Sequence, residues 1–323
     1  MGTEYSPTFV TGQLVIRRAA IMQSSEQPLP PARWSLAGMR CIVTGGSKGL
    51  GRACVEEMLH LGATLLFTAR GEEELRALAK QLTATHGADR VHWIAADVST
   101  AKGRDELVTH ARELWGGALD VLVNNVGTNS RKPVSEASEA EYELMLNTNQ
   151  TSAYFLCREC LPLLRQSKCA SVVNVTSLAG VRSSGTGVIY AMTKAAMNHM
   201  ARALACEWAG YGIRVNAVAP WMTMTPLLQA AVAKAPNAVD AAIEATPLGR
   251  LGRPEDTAGA VAFLCMPAAA YITGQVLAVD GGIAAQGFRG PCVAARLTGD
   301  GGASASEVSD ETSAKRRKGS SLE

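Results

Sequence analysis

The sequence predicts an α/β protein: a single doubly wound domain in which helices cover both faces of a seven-stranded parallel sheet. Short runs rich in Val, Ile and Leu alternate along the chain with longer segments of helical periodicity, which is the order of parallel β-α-β units. Aromatic residues make up only 5% of the 323 residues. The core must therefore consist mainly of Val, Leu, Ile and Ala, which suits a sheet buried on both faces.

The predicted strands are short and apolar, as expected for strands that are covered on both sides. Helical segments lie between them, among them Gly51–Leu61, Glu72–Thr85 and Asp105–Leu114. The seven predicted strands are Arg40–Thr44, Thr64–Thr68, Val91–Ala95, Val121–Asn124, Ser171–Val175, Arg214–Val218 and Val276–Val279.

This alternation places the domain at residues 34–283. Residues 1–33 have no sustained periodicity and end in a proline-rich stretch, so they are predicted to form a flexible leader. These residues contain three arginines and two acidic residues, and this small excess of positive charge also suits a targeting segment. Residues 284–323 are rich in Gly, Ser, Ala and charge, and they are predicted to form a largely disordered tail because they cannot bury enough apolar surface.

Composition excludes several functional classes. The net charge of +2 gives no general argument for nucleic acid or an anionic membrane as a partner. The basic run Lys315–Lys318 lies in the predicted tail, where such runs usually serve solubility or nuclear targeting. The sequence contains no stretch of about 18 apolar residues, so no membrane span is predicted. We expect a small-molecule substrate and a cytoplasmic location, with plastid or mitochondrion as alternatives.

The eight cysteines are too dilute for a disulfide scaffold and are expected to be reduced. Cys157 and Cys160 form a C-x-x-C in a helical segment, but no second Cys/His pair stands at zinc spacing. No metal site is predicted.

A glycine-rich turn, Thr44–Gly51, joins the first predicted strand to the first predicted helix. Strand, glycine loop and helix is the context of a dinucleotide site. Gly45 allows the tight turn, Gly49 allows approach of a pyrophosphate, and Gly51 allows close packing of helix and strand. The helix N-terminus supplies N–H groups to the phosphates.

The end of the second strand indicates which dinucleotide binds. NAD sites tend to place an acid there, on the ribose 2′-hydroxyl. Here Arg70 occupies the tip and Lys48 lies in the glycine loop, so a 2′-phosphate has two cationic partners and NADP(H) is predicted. Glu72, Glu73 and Glu74 are interpreted as the acidic first turn of the next helix.

Tyr190 and Lys194 stand at i and i+4, on one face of a predicted helix. An ammonium beside a phenol lowers the phenol's pKa, which suits acid–base chemistry near neutral pH. Ser177 follows the fifth strand, at the edge where an open α/β sheet places its site residues.

Together these motifs resemble the short-chain dehydrogenase/reductase family. Further matches are Asn124–Gly127, with Val126 where the family has Ala, and the C-terminal stretches Pro247–Glu255, Ile272–Gln275 and Val279–Gly282. The resemblance covers residues 34–282 and implies a Rossmann fold. It also implies a catalytic set of Asn149, Ser177, Tyr190 and Lys194, and cofactor contacts from Gly45, Ser47, Lys48, Gly49, Leu50, Gly51, Arg70, Asp97, Val98, Asn125, Gly127, Tyr190, Lys194, Pro220 and Thr225.

The stretches Arg33–Gly38 and Val218–Leu227 resemble the tropinone reductase-like group within that family. The implied activity is NADPH-dependent reduction of a ketone or aldehyde: Tyr190 donates the proton, Lys194 lowers its pKa and holds the nicotinamide ribose, Ser177 binds the carbonyl oxygen and Asn149 supports a water relay toward Lys194. Trp221 replaces the family's usual glycine and is expected to alter local packing or narrow the pocket.

The expected lid, Thr225–Thr246, is Ala-rich, has few charges and breaks at Pro236-Asn237, which predicts two short helices over a small, mostly apolar substrate. Two alternatives stay open: a 3-oxoacyl-carrier-protein reductase, docking through Arg158, Arg165 or Arg202, and a non-catalytic dinucleotide-binding protein. The resemblance further implies a homodimer or homotetramer, with Ser152–Leu164 and Tyr190–Ala209 as the expected interface.

Overall fold

The computed structural model describes residues 31–287, and these contain a seven-stranded sheet in the order β3-β2-β1-β4-β5-β6-β7. Every neighbouring pair is parallel. The strands are β1 (Arg40–Thr44), β2 (Thr64–Ala69), β3 (Val91–Ala95), β4 (Val121–Asn124), β5 (Ser171–Val175), β6 (Arg214–Pro220) and β7 (Val276–Val279). The predicted fold class is confirmed. Five strands have the predicted bounds, while β2 is one residue longer and β6 two residues longer.

The helices that connect the strands are α1 (Gly49–His60), α2 (Glu72–His86), α3 (Ala101–Trp115), α4 (Glu139–Met145), α5 (Ser152–Leu164), α6 (Val188–Glu207), α7 (Pro226–Lys234), α8 (Asp240–Ala245) and α9 (Pro254–Cys265). A π-helical segment, Leu146–Thr151, runs between α4 and α5. Helix α1 begins at Gly49, two residues before the predicted start, because the turn at Gly49, with φ +56°, leads directly into the helix.

The core is split by the sheet, because alternate residues of each strand point to opposite faces. Cys41 and Val43 of β1 face a cluster with α1, α2 and α9. Ile42, between them, faces a second cluster with α3, α5 and α6. Val, Leu, Ile and Ala make up most of both clusters, as the low aromatic content predicts.

The order of the strands positions the functional site. The chain runs outward from β1 through β2 to β3, then returns to pair β4 with β1 on the other side. The crevice at the carboxyl ends of β1 and β4 is the switch point at which open α/β sheets bind ligands. At the opposite ends of the same strands, Arg40 and Asp120 form an ion pair with Nε–Oδ2 2.8 Å.

Most of the predicted leader and tail, including Lys315–Lys318, lies outside the described residues. Within them, no helix is long and apolar enough to cross a membrane. Cys157 and Cys160 are buried in α5 as free thiols, and burial raises the pKa of Cys157 to about 12. Residues 31–287 contain no group of three His, Cys, Asp or Glu side chains that could hold a metal ion.

Candidate active site

The glycine loop packs so tightly that one of its residues has no room for a side chain. A Cβ on Gly51 would lie 2.1 Å from the carbonyl oxygen of Gly45 and 2.4 Å from Nδ2 of Asn125. Gly45 itself has φ +67°, a backbone conformation that residues with a side chain rarely adopt. The amide of Asn125 closes the loop by donating to the carbonyl of Thr44 at 2.8 Å.

Thr44, at the end of β1, aligns the two strands that carry the loop and the Asn124–Gly127 motif. Its Oγ1 accepts hydrogen bonds from the N–H groups of Asn125, at 2.9 Å, and Val126, at 3.2 Å. This hydroxyl is not among the site residues predicted from the sequence. A β-branched threonine that ends a buried strand just before a glycine loop was the available signal.

A cavity of about 920 Å³ runs across the carboxyl ends of the strands. Fourteen of the predicted cofactor residues line it: Gly45, Ser47, Lys48, Gly49, Leu50, Gly51, Arg70, Asp97, Val98, Asn125, Gly127, Tyr190, Lys194 and Thr225. Pro220 does not. It is buried at the end of β6, in register with Val279, so its ring belongs to the sheet rather than to the cavity wall.

The cavity fits a dinucleotide at the start of α1. No side chain caps this helix: its N-cap residue, Lys48, makes no side-chain capping bond. The first N–H groups of α1 therefore remain to bind an anion, and the glycine loop allows a pyrophosphate to approach them. Further along, Oδ1 of Asp97 accepts from the N–H and hydroxyl of Ser99 at 3.0 and 2.7 Å, which fixes that carboxylate at the cavity edge.

The outer end of the cavity carries both cations and an acid. Arg70 is exposed there, and Lys48 forms an ion pair with Glu74. Glu72, Glu73 and Glu74 do form the first turn of α2, as interpreted, but Glu74 also lines the cavity. The interpretation as an acidic first turn is confirmed, and Glu74 has a further contact because its side chain turns back toward the glycine loop.

At the inner end, α6 brings Tyr190 and Lys194 onto one face. Nζ of Lys194 lies 5.7 Å from the centre of the Tyr190 ring and donates to the carbonyl of Val175, at the end of β5, at 3.1 Å. Burial lowers the pKa of Lys194 to about 8. This carbonyl holds the ammonium at the strand end.

The expected direction of the Tyr190 pKa shift is wrong. Burial raises the pKa of the Tyr190 phenol above its ordinary value, and the neighbouring Ser177 hydroxyl and the charge of Arg131 only partly oppose that effect. The phenol is enclosed, so desolvation of its anion dominates. Tyr190 is thus a neutral phenol near pH 7, the form that donates a proton.

Ser177 reaches Tyr190 because the turn after β5 packs directly on α6. A Cβ on Gly180 would lie 2.5 Å from the carbonyl carbon of Lys194, so only glycine permits this approach. The amide of Asn198 donates to the carbonyl of Gly180 at 3.1 Å and holds the turn in place. Ser177 Oγ accepts from the N–H of Ala179 at 3.1 Å, which fixes its rotamer beside the phenol.

Asn149 lies in the π-helical segment and is fully buried. Its Nδ2 donates to the carbonyl of Thr128, at 2.9 Å, and to Oγ1 of Thr193, at 3.1 Å. The amide therefore joins the loop after β4 to α6 and makes no direct hydrogen bond to Lys194. Gly127 lies where the two side chains converge: a Cβ there would be 3.2 Å from Lys194 Nζ and 3.5 Å from Asn149 Oδ1.

Trp221 changes local packing rather than narrowing the large cavity. Its indole packs against Leu178, Ala245 and Ile283, and Nε1 donates to Oγ1 of Thr246 at 3.2 Å. The residue lines a separate cavity of about 280 Å³. The chain beyond it forms two short helices, α7 and α8, separated by a 3-10 turn at Pro236–Val239, as predicted.

Comparisons with known proteins agree with this geometry. The family model described as enoyl-(acyl carrier protein) reductase matches residues 45–284. A tropinone reductase homolog of Arabidopsis thaliana is 44% identical over 256 residues, covering 79% of this chain and 96% of that protein. A second homolog from the same plant, designated chloroplastic, is 43% identical and covers 82% of each.

Among solved structures, the Pseudomonas aeruginosa RhlG/NADP active-site complex is 35% identical with a TM-score of 0.73, covering 79% of this chain and 99% of that one. The similarity thus extends from the glycine loop through the Tyr190–Lys194 helix to the last strand. The chain belongs to the short-chain dehydrogenase/reductase family, with tropinone reductase homologs among its relatives, and is an oxidoreductase that uses a nicotinamide dinucleotide.

Proposed function

We propose that this protein is an NADPH-dependent carbonyl reductase that converts a small, mostly apolar ketone or aldehyde to an alcohol. One observation carries the proposal: Tyr190, with Ser177 beside it, and Lys194 line one end of a cavity whose other end carries Lys48 and Arg70. Acid–base groups and cofactor-selecting charges therefore lie at the two ends of one cleft.

The cofactor's nicotinamide supplies a hydride when bound. Tyr190 donates the proton that the new alkoxide requires, and its raised pKa keeps that proton in place at neutral pH. Ser177 donates a hydrogen bond to the carbonyl oxygen. Lys194 places a positive charge near the phenol, so that the tyrosinate left after proton transfer is stabilised.

The preference for NADPH is supported by charge. Arg70 is exposed at the end of β2 and Lys48 stands in the loop across from it. A 2′-phosphate carries nearly two negative charges, so charge-assisted contacts to a guanidinium and an ammonium favour it over a hydroxyl. The RhlG structure is a complex with NADP.

The substrate class is inferred from the lid. Helix α7, with the sequence Pro-Leu-Leu-Gln-Ala-Ala-Val-Ala-Lys, carries one charge, Lys234, and α8 carries Asp240 and Glu244. A lid of this composition favours an apolar substrate over a polyanion.

A second candidate is the reduction of a 3-oxoacyl group on a carrier protein; the description of the matching family model names the same carrier, although for an enoyl group. The proposed docking cations are partly engaged within the chain. The guanidinium of Arg158 lies 4.5 Å from the ring centre of Phe155, and that of Arg165 lies 4.4 Å from that of Tyr211. These stacking contacts make the cations less available to an acidic partner, and we rank this candidate second.

Self-association through α5 and α6 is supported by apolar side chains on their outer surfaces. Tyr154 on α5, with Val188 and Met192 on α6, are each about half exposed. We propose that these faces form the interface of a homodimer or homotetramer, and a monomer by light scattering at micromolar concentration would contradict this.

We propose a cytoplasmic location, with the plastid as the alternative that the chloroplastic relative supports. Imaging of a fluorescent fusion to the C-terminus of the full chain distinguishes the two.

The test of function is a substrate panel assayed with NADPH and NADH. We expect turnover of small apolar ketones with NADPH and at least about tenfold lower kcat/KM for 3-oxoacyl thioesters on carrier protein. Faster reduction of the thioesters would favour the second candidate. Tight NADPH binding without turnover of any carbonyl compound would favour the non-catalytic alternative.

A further inference from the structure

Glu74 occupies the cofactor-selecting end of the cavity in a way its neighbours on α2 do not. Its side chain folds back over Gly71, where an added Cβ would lie 2.9 Å from Oε2, and its Oε1 pairs with Nζ of Lys48. Glu72 instead pairs with Arg76, one turn further along the helix. Among the described residues, Glu73 has neither an ion pair nor a side-chain hydrogen bond.

This contact places a carboxylate in the same part of the cavity as the two cations that we propose bind a 2′-phosphate. Gly71 directly follows Arg70, and Glu74 lines the same cavity wall as Lys48 and Arg70. The carboxylate attracts Lys48 and repels an approaching phosphate. The carboxylate attracts a 2′-hydroxyl, because the hydroxyl can donate a hydrogen bond to it.

We propose that Glu74 is a specificity-determining residue that restrains the preference for a 2′-phosphorylated cofactor by holding Lys48. A 2′-phosphate must take Lys48 from Glu74, whereas a cofactor with a 2′-hydroxyl leaves the ion pair intact. This inference rests on the proposed preference for NADP(H), and it predicts that the wild-type preference is smaller than two unopposed cations would give.

The absence of a side chain at position 71 makes this arrangement accessible. With only hydrogen on Gly71, the Glu74 carboxylate lies against the backbone of the strand-to-helix turn. Lys48 and Glu74 side chains are 64% and 48% exposed, so salt screens their interaction and the effect on specificity is modest.

The experiment measures binding by titration calorimetry with NADP⁺ and NAD⁺ on wild type, Glu74→Gln and the matched control Glu73→Gln. The two variants remove the same charge from adjacent exposed positions. We expect Glu74→Gln to tighten NADP⁺ binding about three- to fivefold, with NAD⁺ binding unchanged or weaker. Glu73→Gln should change the NADP⁺/NAD⁺ ratio by less than about 1.5-fold.

Two further arms establish the mechanism. In a Lys48→Met background, Glu74→Gln should tighten NADP⁺ binding less than it does when Lys48 is present, since only the direct repulsion between carboxylate and phosphate is then relieved. At about 0.5 M salt the gain should shrink in the wild-type background. An unchanged or lower NADP⁺/NAD⁺ ratio in Glu74→Gln, or a full gain without Lys48, would overturn the inference. A wild type that prefers NAD⁺ would instead refute the proposed cofactor. The change in the NADP⁺/NAD⁺ ratio from wild type to Glu74→Gln tests the role of Glu74 whichever cofactor the wild type prefers.

Discussion

The side chain of Asn149 holds the backbone of Thr128 from both sides: Nδ2 donates to its carbonyl at 2.9 Å, and Oδ1 accepts from its N–H at 2.7 Å. This pair of bonds ties the loop after β4 to the π-helical segment between α4 and α5. The loop contains Gly127, which lies against the Lys194 ammonium. One buried amide therefore holds in place the loop that packs against Lys194.

We expect Asn149→Ala to lower the free energy of unfolding by about 1–3 kcal/mol, because it leaves buried polar groups without partners. The rate of carbonyl reduction should fall as well, since the loop beside Lys194 loses its support. Urea unfolding and steady-state kinetics measure the two effects. Asn147→Ala, an exposed position in the same segment, is the control and should stay within about 0.5 kcal/mol of wild type. Equal stability of the two variants would refute the role of the amide.

The pKa of Lys194 predicts a pH profile for reduction. Burial lowers this pKa to about 8, so the ammonium is present below that pH and is lost above it. The phenol of Tyr190 has a raised pKa and stays protonated through the same range. We expect kcat/KM for reduction to be level below about pH 7 and to fall about tenfold per pH unit above pH 8. A profile that stays level to pH 10 would show that the charge of Lys194 is not needed.

Two glycine substitutions should shift stability in opposite directions. Gly51→Ala forces a methyl group against the carbonyl of Gly45, which should cost about 1–3 kcal/mol and weaken NADPH binding at least about tenfold. Gly259→Ala in α9 meets no atom within 4 Å. It should stabilise the protein by about 0.5–1 kcal/mol, because glycine inside a helix is unfavourable. Urea unfolding of both proteins checks the signs, and a stabilising Gly51→Ala would contradict the tight loop.

Arg70 should dominate the choice of cofactor. Replacing it with Ala removes one charge-assisted contact to a 2′-phosphate, worth about 1.5–3 kcal/mol, and Asp adds repulsion. We expect Arg70→Ala to reduce the NADPH/NADH ratio of kcat/KM by about tenfold or more, and Arg70→Asp to reverse the preference. Arg76→Asp changes the net charge equally but lies on α2, paired with Glu72, and should leave the ratio nearly unchanged. A ratio that is the same in Arg70→Asp and wild type would show that this strand end does not read the 2′-position.

The sheet was predictable from the sequence because its strands are apolar runs between helical segments. Where bounds differ, the cause is a contact that single-sequence patterns do not carry: β6 continues to Pro220 because Ala219 and Pro220 pair with Ala278 and Val279 of the edge strand. Helix α1 starts early because the turn at Gly49, which has a positive φ, leads directly into the helix. Neither feature leaves a mark in the apolar periodicity of the sequence, so neither bound could be predicted from it.

The site was predictable as a set of residues but not in its electrostatics. The i, i+4 spacing predicted that Tyr190 and Lys194 share one helix face. The pKa of the phenol, however, depends on how much water the surrounding chain excludes. The pairing of Lys48 with Glu74 joins residues 26 positions apart, and nothing local in the sequence distinguishes Glu74 from Glu73. Pro220 matched a motif, but it is buried at the end of the sheet and does not line the cavity.

The central claim is that the Tyr190 hydroxyl donates the proton in carbonyl reduction. The most direct test is Tyr190→Phe, assayed for single-turnover reduction and for NADPH affinity, with Tyr142→Phe as a control that removes the same atom from an exposed ring on α4. We predict a rate at least about 100-fold lower for Tyr190→Phe, with an NADPH Kd within about threefold of wild type and a normal rate for Tyr142→Phe. Retention of more than about 10% of the wild-type rate by Tyr190→Phe would contradict the claim.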